Sequence, residues 1–205
     1  MFRYAAHPFF FSSSLREDMK KIYADVMKYF VAFCVFIFLG IAMYPELFAL
    51  LLGKSFRSGI SVLPIMLVAN ILLGVVFNLS MWYKLSDKTH YALTITLLGL
   101  GINLLINVIF MPVYGLMAAA WGYLLSYFSM VVFSYYLSRR YYPIPYDTKT
   151  ILLYFGAGIA VYLLSVFLAP ESLALRILLN TLYIIAFVFL VLKNEHIDIR
   201  RIKLH

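Results

Sequence analysis

The chain has 205 residues, of which 64% are hydrophobic and only 13% are charged. A typical soluble domain is about 25% charged and about 45–50% apolar, and a globule of this length could not hide so much apolar surface from water. The composition therefore excludes a soluble enzyme, a secreted disulfide scaffold and a disordered chain. The single cysteine, Cys34, cannot form an internal disulfide. The sequence predicts an all-α integral membrane protein.

The formal net charge of +8 raises the question of a nucleic-acid partner. The Lys and Arg residues, however, form short clusters between long uncharged runs, with no basic face interleaved with polar residues. This distribution is typical of charges that flank membrane spans. We therefore expect the lipid bilayer, and no nucleic acid, as a partner.

Residues 1–28 are expected to form a cytoplasmic segment. Ser14 and Glu17 fit a capping box at a helix start. Apolar residues then recur on one helix face, at Leu15, Met19, Ile22, Val26 and Tyr29. We expect an amphipathic helix that runs into the first span. The stretch Phe2–Phe11 has no start signal of its own, so residues 1–28 are interpreted as the tail of a missing upstream lobe.

Long gaps between charged residues mark the membrane spans, since one crossing helix needs about 20 apolar residues. The gap from Thr89 to Ser138 holds 50 residues and so contains two spans. Pro112 is expected to stop the first of these and Gly115 to permit the reversal. Residues 29–192 are predicted to hold six transmembrane helices, at about 29–51, 60–83, 89–110, 115–138, 150–169 and 173–192. Residues 193–205 form a basic cytoplasmic tail.

The orientation follows from the positive-inside rule. With six spans both termini share one side of the membrane, and that side holds 14 of the 17 Lys and Arg residues. The other side holds Lys54, Arg57 and Arg176. This asymmetry predicts that both termini are cytoplasmic.

Candidates for catalysis or metal binding are scarce. The four histidines are far apart and none has a partner at ligand spacing; they are His7, His90, His196 and His205. No phosphate loop, nucleophile motif or carboxylate pair lies within a span. We predict that the chain is not an enzyme and holds no metal or cofactor. No charged residue lies at the middle of a span, which disfavours a voltage sensor or a self-contained proton-coupled transporter.

The informative polar residues are neutral amides within the spans. They are Asn70 and Asn78 on the second span, Asn103 and Asn107 on the third, and Asn180 on the sixth. An amide in hydrocarbon is costly unless it is hydrogen-bonded, so each must face another helix or a wet cavity. Both alternatives stay open. Small residues at Ala118/Gly122 and Gly156/Ala160 permit close helix approach.

Three stretches resemble bacterial polysaccharide flippases of the multidrug/oligosaccharidyl-lipid/polysaccharide exporter superfamily. The matching segments are Phe2–Phe11, Val62–Asn70 with Asn78–Thr89, and Asn103–Gly115 continuing through Ala118–Gly122 to Ser126 and Tyr127. The resemblance covers about residues 2–146. The last two spans match in hydropathy only.

The resemblance implies a larger, two-lobed helical bundle in the bacterial cytoplasmic (inner) membrane, of which this chain would be the C-terminal part. It implies translocation of lipid-linked oligosaccharide of the undecaprenyl-pyrophosphate type. The expected partner is the missing N-terminal lobe or a second copy of the chain. The cavity candidates are Arg3, His7, Asn70, Asn78, Asn103 and Asn107. Arg3 is expected to bind pyrophosphate. At the position of His7 the family is expected to have an acidic residue.

Two alternatives remain. A membrane-bound transferase acting on the same lipid carriers would need a catalytic group in a wet cleft, and Asp87 with His90 is the only nearby pair. A non-transporting membrane assembly subunit is the other alternative.

Overall fold

The computed structural model describes residues 13–45, 59–170 and 172–195, with side chains from residue 19 onward. All regular elements in these ranges are helical. The helices are α1 (Ser13–Ala42), α2 (Leu63–Leu79), α3 (Met81–Leu85), α4 (His90–Tyr114), α5 (Leu116–Tyr141), α6 (Thr148–Phe167) and α7 (Leu173–Asn194).

Six helical segments of the described residues are long and apolar enough to cross a membrane, which confirms the predicted all-α, six-span architecture. They are Met19–Ala42, Gly59–Leu85, His90–Tyr114, Leu116–Tyr141, Thr148–Phe167 and Leu173–Asn194. The first of them differs from the predicted span 29–51. Helix α1 is continuous from Ser13 to Ala42, so the expected cytoplasmic helix and the first span form one element. Helix α1 ends at Ala42, and residues 46–51 of the predicted span lie outside the described residues.

The reversal between α4 and α5 occurs at Gly115, as predicted, but Pro112 does not stop α4. Helix α4 continues through this proline to Tyr114, because a proline in the last turn removes a single helical hydrogen bond and cannot disrupt turns that follow. Gly115 has a φ of +54° and donates its N–H to the carbonyl of Met111 at 2.9 Å. Glycine adopts this left-handed conformation without a Cβ penalty, so Gly115 makes the turn.

The chain divides into two compact units. Unit 1 contains the described residues of Met1–Phe30 and Leu72–Thr148, and unit 2 contains those of Val31–Ile71 and Lys149–His205. The buried core of unit 1 surrounds Trp82, which is fully inaccessible to solvent. Its other members come from α1, α4, α5 and the segment after α5, namely Ala24, Ile95, Met130, Leu137 and Ile144.

Small residues bring α4 and α5 of unit 1 close together. A Cβ added to Gly122 would lie 3.1 Å from Nδ2 of Asn107, and one added to Gly99 would overlap the Met130 side chain. Ser126 donates its hydroxyl to the carbonyl of Gly99 at 2.7 Å. The predicted close approach at Gly122 is therefore present, and it places Asn107 against the backbone of α5.

In unit 2, the close approach uses a different glycine from the one expected. No atom of the described chain lies within 4 Å of a Cβ built on Gly156, whereas a Cβ on Gly158 would overlap the Val35 side chain. The ring of Phe38 packs edge-on against Tyr162, with centroids 5.4 Å apart. Gly158 thus lets α6 pack directly on α1.

The apolar stripe predicted on α1 is exposed on the surface of the chain. Met19, Ile22, Val26 and Tyr29 are each between 43% and 53% exposed, and the opposite face, which includes Ala24, is buried. Small Ala24 fits against the core of unit 1. These four apolar side chains therefore remain available to lipid or to another protein surface.

Candidate functional site

Of the six cavity candidates, the structure describes four. Arg3 and His7 lie outside the described residues, and their roles stay predictions. Asn70 belongs to unit 2, whereas Asn78, Asn103 and Asn107 belong to unit 1. The described candidates therefore do not all belong to one compact unit.

Asn103 and Asn107 form a pair on α4. The Nδ2 group of Asn107 donates to the backbone carbonyl of Asn103 at 2.8 Å and contacts its side-chain Oδ1 at 3.1 Å. Both residues are half-buried, and Asn107 lies beside Gly122 of α5. The spacing of four residues places both amides on one helix face. They satisfy part of their hydrogen-bonding capacity within α4 and retain acceptor and donor groups at a partly open surface.

Asn70 is the most accessible of the described candidates. Its side chain is exposed within an apolar span, and its Nδ2 donates to the carbonyl of Met66 on the same helix at 2.8 Å. The carbonyl oxygen of the amide carries two further acceptor sites. Asn78, eight residues later, is half-buried. An exposed amide at membrane depth requires a polar partner outside the described chain, because hydrocarbon offers none.

Asn180 is buried. The sequence places it among the amides within the spans but leaves open whether it faces another helix or a cavity. Only 3% of it is exposed. Its Nδ2 donates to the carbonyl of Met43 at 2.7 Å, and its Oδ1 accepts the hydroxyl of Ser165 at 2.7 Å. Nearby, Tyr44 and Thr181 join their hydroxyls at 2.8 Å. Three segments of unit 2 are thus tied together by one side chain.

A cavity of about 190 Å³ lies beside this network in unit 2. Its lining includes Asn180, Ser165 and Arg176, together with the carboxyl-terminal end of α1 at Ala42 and Met43. The polar atoms of Asn180 and Ser165 bond each other or Met43. The network therefore serves mainly to join helices by hydrogen bonds, which is the role that buried amides commonly have in membrane bundles.

Unit 1 carries a second polar region, which we call the basic–aromatic end. It consists of Lys20, Lys88, Arg140, Tyr91, Tyr141 and Tyr142. The Lys88 Nζ lies 3.6 Å from the Tyr141 ring centroid, and the Lys20 Nζ lies 4.7 Å from that of Tyr142. Tyr91 donates its hydroxyl to that of Tyr141 at 2.8 Å. Three segments that the positive-inside rule assigned to one side of the membrane therefore meet at one end of unit 1.

The aromatic packing beneath this end includes a buried polar group that has a hydrogen-bond partner and another that has none among the described residues. The indole N–H of Trp82 donates to the hydroxyl of Ser134 at 3.0 Å, and both side chains are buried. The hydroxyl of Tyr146, by contrast, is buried without a hydrogen-bond partner among the described residues. Burial raises the pKa of Tyr146 above its ordinary value, because the ionised phenol would lose its hydration.

The structure describes both members of the pair considered for transferase chemistry, Asp87 and His90. The His90 ring packs on Tyr91 with centroids 4.4 Å apart. Asp87 has a φ of +54° in the turn before α4 and is exposed. The described residues also contain no group of three His, Cys, Asp or Glu side chains that could hold a metal ion.

Comparison with protein-family models, with curated proteins and with solved structures finds no match for this chain.

Proposed function

We propose that this chain forms one wall of a flippase that moves lipid-linked oligosaccharide across the bacterial cytoplasmic membrane. The observation that carries the proposal is the exposed amide of Asn70 in an apolar span. The half-buried pair Asn103 and Asn107 adds further amide groups on α4. Amides are suitable partners for sugar hydroxyls, since they donate and accept hydrogen bonds without a fixed charge.

The proposal includes a second wall. Transporters built from repeats place the substrate at the interface between the repeats, near the bilayer midplane. A single wall would leave the Oδ1 of Asn70 facing lipid, at a cost of roughly 2–7 kcal/mol for an unbonded polar group. An N-terminal lobe, or a second copy of this chain, would complete the cavity. The resemblance of residues 2–146 to polysaccharide flippases supports the first choice.

The proposed orientation places both termini and the basic–aromatic end in the cytoplasm. The distribution of Lys and Arg supports it. Cysteine labelling tests it in a Cys34→Ala background. With an impermeant maleimide on intact cells, Val113→Cys should be labelled and Thr89→Cys should be protected, both positions being exposed in the described chain. The reverse pattern would contradict the orientation.

Transport is tested in liposomes with a fluorescent lipid-linked oligosaccharide. The chain alone, as a monomer, should not move the substrate, and activity should require a partner lobe or a second copy. In the active assembly, Asn70→Leu and Asn107→Leu should each reduce the rate, because each removes an amide from the cavity wall. Thr96→Val is the control, since the only hydrogen-bond donor of the Thr96 side chain bonds Ala92 of its own helix at 2.8 Å, whereas the amides of Asn70 and Asn107 also carry a carbonyl oxygen. Equal rates in all variants would reject the proposed wall, and formation of a sugar–lipid product would favour a transferase.

A further inference from the structure

The basic–aromatic end of unit 1 holds two cations against a single tyrosine ring. The Lys88 Nζ is 3.6 Å from the Tyr141 ring centroid, and the guanidinium carbon of Arg140 is 5.6 Å from the same centroid. Lys88 lies in the turn before α4, whereas Arg140 and Tyr141 end α5. Ring faces attract cations through their quadrupole, so both cationic groups lie at cation–π distance from one ring.

These cations are not neutralised by carboxylates of the described chain. The ion pair formed there joins Asp25 to Lys28 at 4.0 Å, and neither Lys88 nor Arg140 has a carboxylate within ion-pair distance among the described residues. A tyrosine ring stabilises a cation much less than a carboxylate does, and it leaves the N–H groups able to donate. The two side chains can therefore bind an external anion.

A directed hydroxyl group completes the arrangement. Tyr91 donates its hydroxyl hydrogen to the oxygen of Tyr141 at 2.8 Å, so the hydrogen of Tyr141 is left to donate elsewhere. One neutral donor is thus available on the same ring that both cations contact. Arg and Lys donors together with a hydroxyl are the usual partners of phosphate oxygens.

The depth of this arrangement identifies the source of the phosphate. Tyr91 and Tyr141 lie at the ends of the candidate spans His90–Tyr114 and Leu116–Tyr141, and Trp82 lies close to the end of Gly59–Leu85. Tyrosine and tryptophan at span ends sit at the level of the lipid headgroups. Basic pockets between helices at this level are typical binding sites for anionic headgroups.

We propose that the basic–aromatic end of unit 1 binds the headgroup phosphate of one anionic phospholipid. Lys88 and Arg140 contact the phosphate as cations, and the Tyr141 hydroxyl donates a hydrogen bond to it. The proposal goes beyond the flippase function, because it requires no transport and holds for any substrate of the six spans. Failure of transport and failure of lipid binding are therefore separate results.

The test measures which lipids stay bound to the full chain after extraction. The chain is purified in neutral detergent with equal amounts of phosphatidylglycerol and phosphatidylcholine, and bound lipid is counted by native mass spectrometry. Detergent removes the bulk membrane surface, so retention reports contact rather than general attraction to a charged bilayer. We expect preferential retention of one phosphatidylglycerol. K88Q/R140Q should weaken it about 25-fold, since each basic residue contributes about fivefold.

A charge-matched variant separates this site from net charge. Lys21 and Lys84 are exposed, and K21Q/K84Q removes the same charge at the same end of unit 1. This variant should retain phosphatidylglycerol like the unchanged chain, and K88R/R140K should retain most of the binding. Tyr141→Phe keeps the ring and should lose only a fewfold.

Three results would overturn the proposal. Equal losses in K21Q/K84Q and K88Q/R140Q would show attraction by net charge only. Full retention in K88Q/R140Q would exclude the named residues. Displacement of the lipid by inorganic phosphate in large excess would indicate a site for free phosphate.

Helix content and the unfolding midpoint, measured on each variant, distinguish loss of the site from loss of the fold. If K88Q/R140Q does not fold, the single variants K88Q and R140Q replace it. Each should then lose about fivefold in retention, and full retention in both would exclude the named residues.

Discussion

The basic–aromatic end of unit 1 and the Asn180 network of unit 2 satisfy polar groups among apolar helices in different ways. Asn180 bonds Met43 and Ser165 and is almost fully buried. Lys88 and Arg140 instead lie over the ring of Tyr141 and keep their charge unneutralised within the described chain. A saturated network stabilises the fold, whereas an unsaturated one is available for a ligand. We therefore assign the basic–aromatic end to ligand binding and the Asn180 network to the stability of the fold.

The largest effect in this comparison is expected for Asn180→Leu. The change leaves the carbonyl of Met43 and the hydroxyl of Ser165 without their partner in a buried site, so unit 2 should lose about 2–3 kcal/mol of stability. Reversible unfolding by SDS in mixed micelles measures the loss. Asn70→Leu is the control and should have a much smaller effect, because the Asn70 amide bonds only its own helix in the described chain. Equal effects would remove the structural assignment of Asn180.

The packing of unit 2 is tested by Gly158→Ala. The new methyl group would overlap Val35, which is 1% exposed and belongs to a stiff residue type. We expect a loss of about 2 kcal/mol in the same unfolding assay. Gly156→Ala, where the methyl group meets open space, should be neutral or slightly stabilising since alanine favours helix. An equal loss in both variants would show that helix propensity, not the contact with Val35, decides the result.

In unit 1, Ser134→Ala tests the polar contact beneath the basic–aromatic end. The variant leaves the buried indole N–H of Trp82 without its acceptor, and we expect a loss of about 1–2 kcal/mol. A shift of the tryptophan fluorescence maximum provides a local readout. Ser129→Ala is the matched control, because the Ser129 hydroxyl bonds the carbonyl of Ser126 on the same helix at 2.7 Å. A similar loss in the control would argue against a specific role for the bond to Trp82.

The smallest expected effect has the opposite sign. Tyr146→Phe removes a buried hydroxyl that has no partner in the described chain, and the stability of unit 1 should rise by about 1 kcal/mol. Because burial raises the pKa of Tyr146, the neutral phenol contributes stability that is fully present below the unfolded-state pKa of about 10. That stability is lost as the pH rises toward the pKa of the folded state.

The pH dependence gives the sharper test of Tyr146. The difference in unfolding midpoint between Tyr146→Phe and the unchanged chain should grow above about pH 10. A constant difference up to the alkaline limit of the assay would mean that the Tyr146 hydroxyl is hydrated in the folded chain. The aromatic core around Trp82 would then admit water.

Much of the fold follows from the sequence. The long uncharged stretches between charged residues located six spans, since the hydrocarbon core of a bilayer excludes charged side chains over a fixed length. The amphipathic helix expected to run into the first span corresponds to α1, which is continuous from Ser13 to Ala42, but the charge gaps did not locate where the candidate span begins within it. Charged residues such as Lys20 and Lys28 lie on a helix that also forms buried contacts through Ala24 and Met27. Charge alone therefore does not mark where a helix begins.

The sequence by itself determined that this chain is all-helical, has six apolar spans, and carries amides in place of charges within them. Each of these features depends on residue type and spacing along one helix. The tertiary structure alone decided that Asn180 is buried while Asn70 is exposed, and that Gly158 rather than Gly156 meets α1. It also decided that Lys88 and Arg140 share one ring. These outcomes depend on how helices that are distant in sequence pack against each other. The spacing of residues along a single helix does not determine that packing.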